Sequence, residues 1–593
     1  MRAFRSGRAP AVAIAMLALA VSGAAQQPYL NLDFETATRG QLWCWSEYGP
    51  GYEFALDTSV KVSGAQSLRI RDVNATTLGS NAGQYFPLSD GIGHHITFSG
   101  YVRTDSVAGG IAGLWLRVDG ASQIISIDYG PPNGLTGTND WQPFTIDRDV
   151  GPDAVDILFG VLQYGTGTAW FDNLSISVDG MPYPQQQPPP YVGEPTAAQL
   201  AWMQKTANPF WTPDPTVPPD DLWPVAGMVG NAHIVGLGEG THGTSEFFQM
   251  KHRLLEYLAA NAGFTLFAME ANMPEAKLVN DYVLYGIGDP HQVLEGLYFW
   301  TWNTQEVLNM IEWMRAYNQS GQGQIQFTGF DMQYSAVAMQ NVVAFVAAAD
   351  PGYLPTVNAA FALAAPVGYN YLYGISQSNS AVQAATNAVD AVRLHLIANR
   401  SAYLAAGSTA SAVDWVIQNA LIAEQATYVA IGGGPYRDQC MASNMDWILQ
   451  QNPGARVVLW AHDMHLSRAA GAMGSYLAAN HGSDYVVFGQ IFHQGQYNAV
   501  NSSGYLTAND ATVSFPGTIE YMLHSTGMPK FILDMRQASP TDPGSSWLFG
   551  LTQYRTIGSV AEDGFGFTYQ LTTDYDALIF FDQTNPSQLL PFD

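Results

Sequence analysis

The segment Ile234-Val-Gly-Leu-Gly-Glu-Gly-Thr-His-Gly-Thr-Ser-Glu-Phe-Phe-Gln-Met-Lys-His-Arg-Leu-Leu255 decides the fold. Its first four residues are an apolar run that stops at a glycine-rich polar loop, the pattern of a buried strand feeding a loop. Phe247, Phe248, Met250, Leu254 and Leu255 then recur at helical spacing behind Ser245, which is expected to cap that helix. Ligand and catalytic groups of open α/β sheets collect at such strand ends. Here the loop carries Glu239 and His242.

The pattern repeats along the chain. His462-Asp-Met-His465 follows the apolar run Val457-Val-Leu-Trp460, Glu270 ends Phe267-Ala-Met-Glu, and Asp331 follows Phe327-Thr-Gly-Phe330. Strands are expected over 233–237, 265–269, 325–329, 457–460, 485–488 and 531–533, and helices over 245–261, 274–285 and 304–318. This alternation indicates an α/β domain with a mainly parallel sheet. Residues 336–450 are Ala-rich with few strand signals and read as a helical insertion, a cap over the strand ends.

Upstream the grammar differs. Short alternating strands over 67–71, 95–103, 114–118 and 156–162, separated by Gly, Asp and Asn, indicate a β-sandwich over 26–180. The proline- and glutamine-rich stretch within 181–196 is an extended spacer, and the α/β domain occupies 197–593. A basic start at Arg2, Arg5 and Arg8, the apolar 11–21 and the small residues Ser22-Gly-Ala-Ala25 outline a secretory signal over 1–25. The mature chain is therefore expected to be secreted or periplasmic. No stretch of about 18 apolar residues predicts a membrane span. At net charge −27 the chain repels phosphate backbones, so nucleic acid is not an expected partner. Cys44 and Cys440 fall in different domains and are expected as separate thiols. No feature fixes an oligomeric state.

The chemistry begins at Glu239 and His242. A neutral imidazole near a helix N-terminus can accept a proton near pH 7, and Glu239 is close enough to orient it. A structural histidine in a tight loop would leave the same trace. Glu270, on a neighbouring strand, is costly to bury unless paired or solvated in a cleft. Asp331 suits a backbone clamp as well as a direct role. His462 and His465 suit a metal, an acid/base pair or a substrate contact. The chain has no HExxH, GxSxG or Walker A pattern, which disfavours the common zinc and serine hydrolases. Water activated by a His/Glu set, or by a metal held by that set, remains.

Several ordered motifs resemble the erythromycin esterase family. They are the Gly238–Leu255 segment, Phe267-Ala-Met-Glu-Ala271, Trp300-Thr-Trp-Asn-Thr-Gln-Glu-Val307, Phe327-Thr-Gly-Phe-Asp-Met-Gln333, Arg437-Asp-Gln-Cys-Met441, Trp460-Ala-His-Asp-Met-His-Leu466 and Tyr575-Asp-Ala-Leu-Ile-Phe-Phe-Asp582. The resemblance implies a metal-independent hydrolase of the lactone ester of macrolides, with a histidine base. Carried over, His242 is that base and Glu239 and Glu270 flank the water. His462 and His465 stabilise the oxyanion or position the ester, and Lys251, Trp302, Asn303 and Asp331 join the substrate site. The implied partner is a small-molecule ester such as a glycosylated macrolide, and no cofactor is implied. A metal-dependent hydrolase using the same cluster and a non-catalytic binding protein are the competing readings.

In the first domain, Asn31-Leu-Asp-Phe-Glu35, Val62-Ser-Gly-Ala-Gln-Ser-Leu-Arg69 and Ala169-Trp-Phe-Asp-Asn-Leu174 resemble jelly-roll carbohydrate-binding modules. That resemblance implies a bound glycan and a structural calcium. Trp43, Trp45, Tyr48 and Trp141 are candidate platform rings, with core packing as the competing role.

Overall fold

The computed structural model describes residues 30–592, apart from 39–40, 43, 50, 75–78, 121–122, 131–132, 185–192, 373–376, 502, 551, 562–563 and 569–570. The expected signal over 1–25, Trp43 and residues 185–192 of the spacer lie outside the described residues. Two compact units meet in the chain at Pro190/Tyr191. Among the described residues no helix is long and apolar enough to cross a membrane.

The first unit is antiparallel. Its strands lie in the order Ser46–Tyr48, Gly79–Phe86, Ala154–Tyr164, His95–Gly120, Thr166–Val178, Ser67–Asp72 and Tyr52–Asp57. His95–Gly120 joins two groups of strands, pairing with Thr166–Val178 through its first half and with Ala154–Tyr164 through its second. One core fills this nearly closed sheet, including Phe34, Phe98, Phe144, Phe159 and Phe171. Trp45 belongs to that core. It is buried, its ring lies 5.0 Å from Phe34, and its Nε1–H donates to the Asn31 carbonyl at 3.1 Å, so it is not a platform ring. Tyr48 and Trp141 are half-buried. Two carboxylates of this unit hold one loop by its backbone. Asp172 accepts the Val62 and Ser63 amides, and Glu35 accepts those of Ala65 and Gln66, so both act as clamps on one loop.

In the second unit we label β1 (Ile234–Leu237), β2 (Phe264–Asn272), β3 (Gln326–Asp331), β4 (Arg456–Trp460), β5 (Tyr485–Val500), β6 (Lys530–Asp534) and β7 (Ala577–Thr584). Their lateral order is β6-β7-β5-β1-β4-β2-β3. The contacts from β7 through β3 are parallel, and β6 runs antiparallel to β7. Helices α1 (Ser245–Ala262), α2 (Met273–Tyr285) and α3 (Gln305–Ser320) precede the insertion, whose last helix is α4 (Ala410–Gln451).

Alternation along each strand sorts the side chains into two cores. Val235, Leu237, Phe267, Met269, Val458 and Trp460 pack with α1 to α3. Ile234, Leu266, Ala268, Val457 and Leu459 pack with Val342, Val346, Phe361, Val389, Val413 and Met445 of the insertion. The insertion is therefore the second layer of the sheet, not a cap over the strand ends. A sheet apolar on both faces needs a layer on each, and residues 336–450 supply the missing one. Ser245 also departs from expectation. Thr244 is the N-cap of α1 and makes no side-chain cap bond, while the Ser245 hydroxyl donates to Glu306 at 2.5 Å.

Candidate active site

Parallel register brings four strand ends together. Leu237 and Met269 both stand opposite Trp460, and Asn272 stands opposite Asp331. The residues just beyond them meet in space although they are distant in sequence.

The loop after β1 is dense in glycine because it is crowded. Gly238 and Gly243 have no positive φ. A Cβ at Gly238 would lie 1.8 Å from Asp463 Oδ1, and one at Gly243 would lie 2.1 Å from the Asn498 carbonyl. Close packing, not an unusual turn, excludes a side chain there.

Glu239 is fully buried among three donors. Oε1 accepts the Nδ1–H of His242 at 2.7 Å, while Oε2 accepts Lys251 Nζ at 2.6 Å and Trp460 Nε1–H at 2.8 Å. Burial opposes its charge, but Lys251 and then His242 outweigh that and hold the carboxyl below its usual range. Lys251 is itself fully buried, 4.3 Å from the centre of the Trp460 ring, and burial lowers its ammonium to about 8. It touches Glu239, not a solvent-facing pocket. Because an ionised carboxylate only accepts, His242 must donate from Nδ1, which leaves Nε2 with a lone pair.

A second cluster surrounds Arg437 of α4. Its Nη2 donates to Glu270 Oε1 at 2.6 Å and Asp331 Oδ2 at 2.7 Å, and its Nε donates to Asp331 Oδ1 at 3.1 Å. His465 Nδ1–H donates to Asp438 at 2.8 Å, and its Nε2 lies 3.3 Å from Glu270 Oε1 and 3.0 Å from Arg437 Nη1. Burial opposes charging of His465, but Asp438 and Glu270 prevail and raise it to about 10. Three acids then face two cations. Glu270, also buried, is held well below the carboxylate range by His465 and Arg437.

His462 lies between the clusters. Its backbone N–H donates to Glu270 Oε2 at 3.0 Å, and its ring centre lies 5.0 Å from that of His242. Its Nε2–H donates to the Ile557 carbonyl at 2.8 Å, and its Nδ1 accepts the Met464 N–H at 3.3 Å. Burial, with His242 and His465 nearby, lowers its pKa to about 3. A neutral ring with both nitrogens engaged positions its neighbours and offers no free nitrogen to a substrate.

Glu239, His242, Lys251, Glu270, Asp331, His462 and His465 are thus assembled at one end of the sheet. Trp302 adjoins them, its ring edge-on to His242 at 5.8 Å. Asn303 is set apart, because its amide donates to the carbonyls of Leu590 and Pro591 and anchors the C-terminal segment. Sequence reasoning quoted Arg437 and Asp438 as part of a family motif but gave neither a role in the site. The available signal was that Arg437 is the only basic residue in the 42 of α4.

The donors already on Glu239 and Glu270 occupy the oxygens that would ligate a metal. Elsewhere, His493, His524 and Asp582 bring ligand atoms within 4.8 Å of one another. The two rings there stack at 3.7 Å and 11°, so their in-plane lone pairs run parallel and do not converge on one ion.

The sequence profile of the family described as erythromycin esterase matches residues 259–584, more than half of the chain. Glu270, Asp331, Arg437, His462 and His465 fall inside the match, and the Glu239–His242 loop precedes it. Erythromycin esterase type II of Escherichia coli is 29% identical over 175 residues, 28% of this chain. The chain spans 41% of the length of that curated relative. A crystal structure of a Bacillus cereus protein, 27% identical with TM-score 0.60, covers 67% of this chain and 100% of its own. A mutant of the erythromycin esterase EreC in its open conformation, 16% identical with TM-score 0.52, covers 63% of this chain and 96% of its own.

Proposed function

Because the chain belongs to the erythromycin esterase family, we propose that its second unit is a carboxylic ester hydrolase that opens the lactone ring of a macrolide with water activated at His242. The observation that carries this reading is the Nδ1 contact to Glu239, which leaves Nε2 free to take a proton. The side chain of His242 is 12% exposed, so that nitrogen belongs to a residue solvent can reach. Glu239 fixes the ring and stabilises the imidazolium formed when water is deprotonated.

His465 supplies the second requirement. Its side chain is 19% exposed, and the acids around it favour the imidazolium. Its nitrogens are held by Asp438, Glu270 and Arg437, so in this reading it acts on the developing oxyanion only through charge, balanced by those acids, and not as a hydrogen-bond donor. His242 then returns its proton to the departing alkoxide, which leaves as the alcohol. A positioned base contributes about 10²–10⁴-fold. His462 holds the spacing between the two.

The test is mass spectrometry of a macrolide incubated with the mature chain, with and without a chelator. A gain of one water in both samples supports the reading. Turnover abolished by chelation would favour a metal-dependent route, and no product from any ester in a broad panel would sink the hydrolase reading.

For the first unit we propose glycan binding, on a face other than the one expected. The rings a ligand can reach there are Tyr85 and Tyr129, half-buried, and Trp115 backs them from below, buried over Gly83 and Gly160 with its Nε1–H on the Val161 carbonyl. Leu158, Leu162, Tyr85, Ile111 and Tyr129 pack around it outside the main core. Aromatic rings flanked by charged side chains such as Arg117 and Asp119 suit a sugar's apolar face and hydroxyls. Affinity electrophoresis in soluble polysaccharides, comparing wild type with Tyr85→Ala, tests it. Equal retardation of the two proteins would discard this face. The signal-like first 25 residues support a secreted or periplasmic location for the mature chain.

A further inference from the structure

The two oxygens of Glu239 are loaded unequally. Oε1 accepts the His242 Nδ1–H at 2.7 Å, whereas Oε2 accepts the Lys251 ammonium at 2.6 Å and the Trp460 Nε1–H at 2.8 Å. Glu239, Lys251 and Trp460 are all fully buried. A lysine is almost never fully buried unless it is paired, because its charge is costly to desolvate. Burial lowers the Lys251 ammonium to about 8, with Glu239 opposing, so the group is charged at neutral pH. Lys251 does not reach solvent, and what it does for the site it does through Glu239.

His465 shows what the same contact does without an ammonium behind it. Its Nδ1–H donates to Asp438 Oδ1 at 2.8 Å, an oxygen that also takes the Met473 N–H. Burial opposes the charge, yet Asp438 and Glu270 raise that ring to about 10, so it is an imidazolium at neutral pH. His242 makes the same Nδ1 contact, but its carboxylate is already answered by a full positive charge. The other titratable groups facing the pair are Glu270 of β2 and, after β4, His462 and Asp463. Burial raises the Asp463 carboxyl well above the usual range although Lys251 opposes it, and Glu239 is the acid that hydrogen-bonds the ammonium.

We propose that Lys251 and Trp460 are positioning residues for the base, which draw the charge of Glu239 toward Oε2 and so leave the lone pair of His242 Nε2 unprotonated. The proposal rests on the hydrolase reading only in calling His242 the base. Without the ammonium, a buried carboxylate facing an imidazole takes up a proton together with it. That proton rests either on the ring, as imidazolium, or on Oε1, which then donates to Nδ1 and leaves the ring hydrogen on Nε2. In both cases Nε2 has no lone pair to offer water. The ammonium and the indole thus do for His242 the opposite of what Asp438 and Glu270 do for His465.

Carbethoxylation of His242 by diethyl pyrocarbonate, followed across pH in the full chain by peptide mass spectrometry, reports on that lone pair without turnover. The side chain is 12% exposed, so the reagent can reach it. The pH midpoint of the reaction is expected to rise by about one to two units in Lys251→Met, and to stay close to wild type in Lys251→Arg, which keeps the charge. An unmoved midpoint in Lys251→Met, or a shift in Lys251→Arg as large as in Lys251→Met, overturns the proposal. Trp460→Phe keeps the ammonium and removes one of the two donors on Oε2, and should raise the midpoint by a smaller step. It decides the matter should Lys251→Met fail to fold, and an unmoved midpoint there overturns the proposal. On an ester that the chain hydrolyses, the acid limb of kcat/KM should move with the midpoint. The modification itself needs no ester, so a failed hydrolase reading and a failed role for Lys251 give different results.

Discussion

Glu239 Oε1 and His242 Nδ1 lie 2.7 Å apart within one loop, and that contact fixes which nitrogen of the imidazole carries the hydrogen. His242→Ala removes the free Nε2 and should lower ester hydrolysis by about 10²–10⁴-fold. The side chain is partly exposed and leaves no buried charge unpaired except through Glu239, which keeps Lys251 and Trp460. The circular dichroism spectrum and melting temperature should therefore stay close to wild type. Initial rates near wild type would remove His242 as the base.

Two histidines three residues apart should give stability opposite dependences on pH. His462 has a folded pKa of about 3, below its unfolded value of about 6.5. The unfolded chain then binds the extra proton between those values, so stability falls as pH drops from 6.5 toward 3. His465 has a folded pKa of about 10. Its contribution is complete below about 6.5 and lost as pH rises through 10. Each group changes the slope by at most about 1.4 kcal/mol per pH unit. Urea midpoints across pH should show His462→Gln flattening the acid limb and His465→Gln the alkaline limb. The assignment fails if both variants flatten the same limb.

Arg437→Met should be costly for stability as well as rate. It leaves Glu270 and Asp331 buried beside each other with only His465 for charge balance. Breaking a buried pair from one side costs about 3–5 kcal/mol. Chemical denaturation measures it, and a loss under about 1 kcal/mol would show that the guanidinium is dispensable.

Gly238→Ala tests the reading of the glycine-rich loop. The new Cβ would meet Asp463 Oδ1 at 1.8 Å, so loop and carboxylate must separate. A loss of about 1–3 kcal/mol is expected, with a fall in rate as His242 shifts. A fully active, equally stable variant would mean the loop relaxes without consequence.

The sequence carried the strand ends well, because apolar runs interrupted by Glu239, Glu270, Asp331 and His462 are a local signal. It carried their meeting less directly, since that depends on the lateral order of strands distant in the chain. Its account of residues 336–450 was right in helical content and wrong in placement. Alanine-rich helices look alike whether they cover strand ends or a sheet face, and only the alternation of Ile234 against Val235 records that both faces are buried. Lys251 read as a pocket base because position in sequence does not reveal that Glu239 would cover its ammonium. Asn303 read as a substrate contact because nothing local announces the C-terminal carbonyls it holds.

The counter-ion for Glu270 and Asp331 comes from the insertion, more than a hundred residues downstream of both. This limits how such a protein can diverge. Recombination that kept the strands and exchanged the helices would strand two acids in the interior unless the incoming helices brought a guanidinium to the same place. The helices on either side of Arg437 are open to exchange, but that position belongs with the sheet.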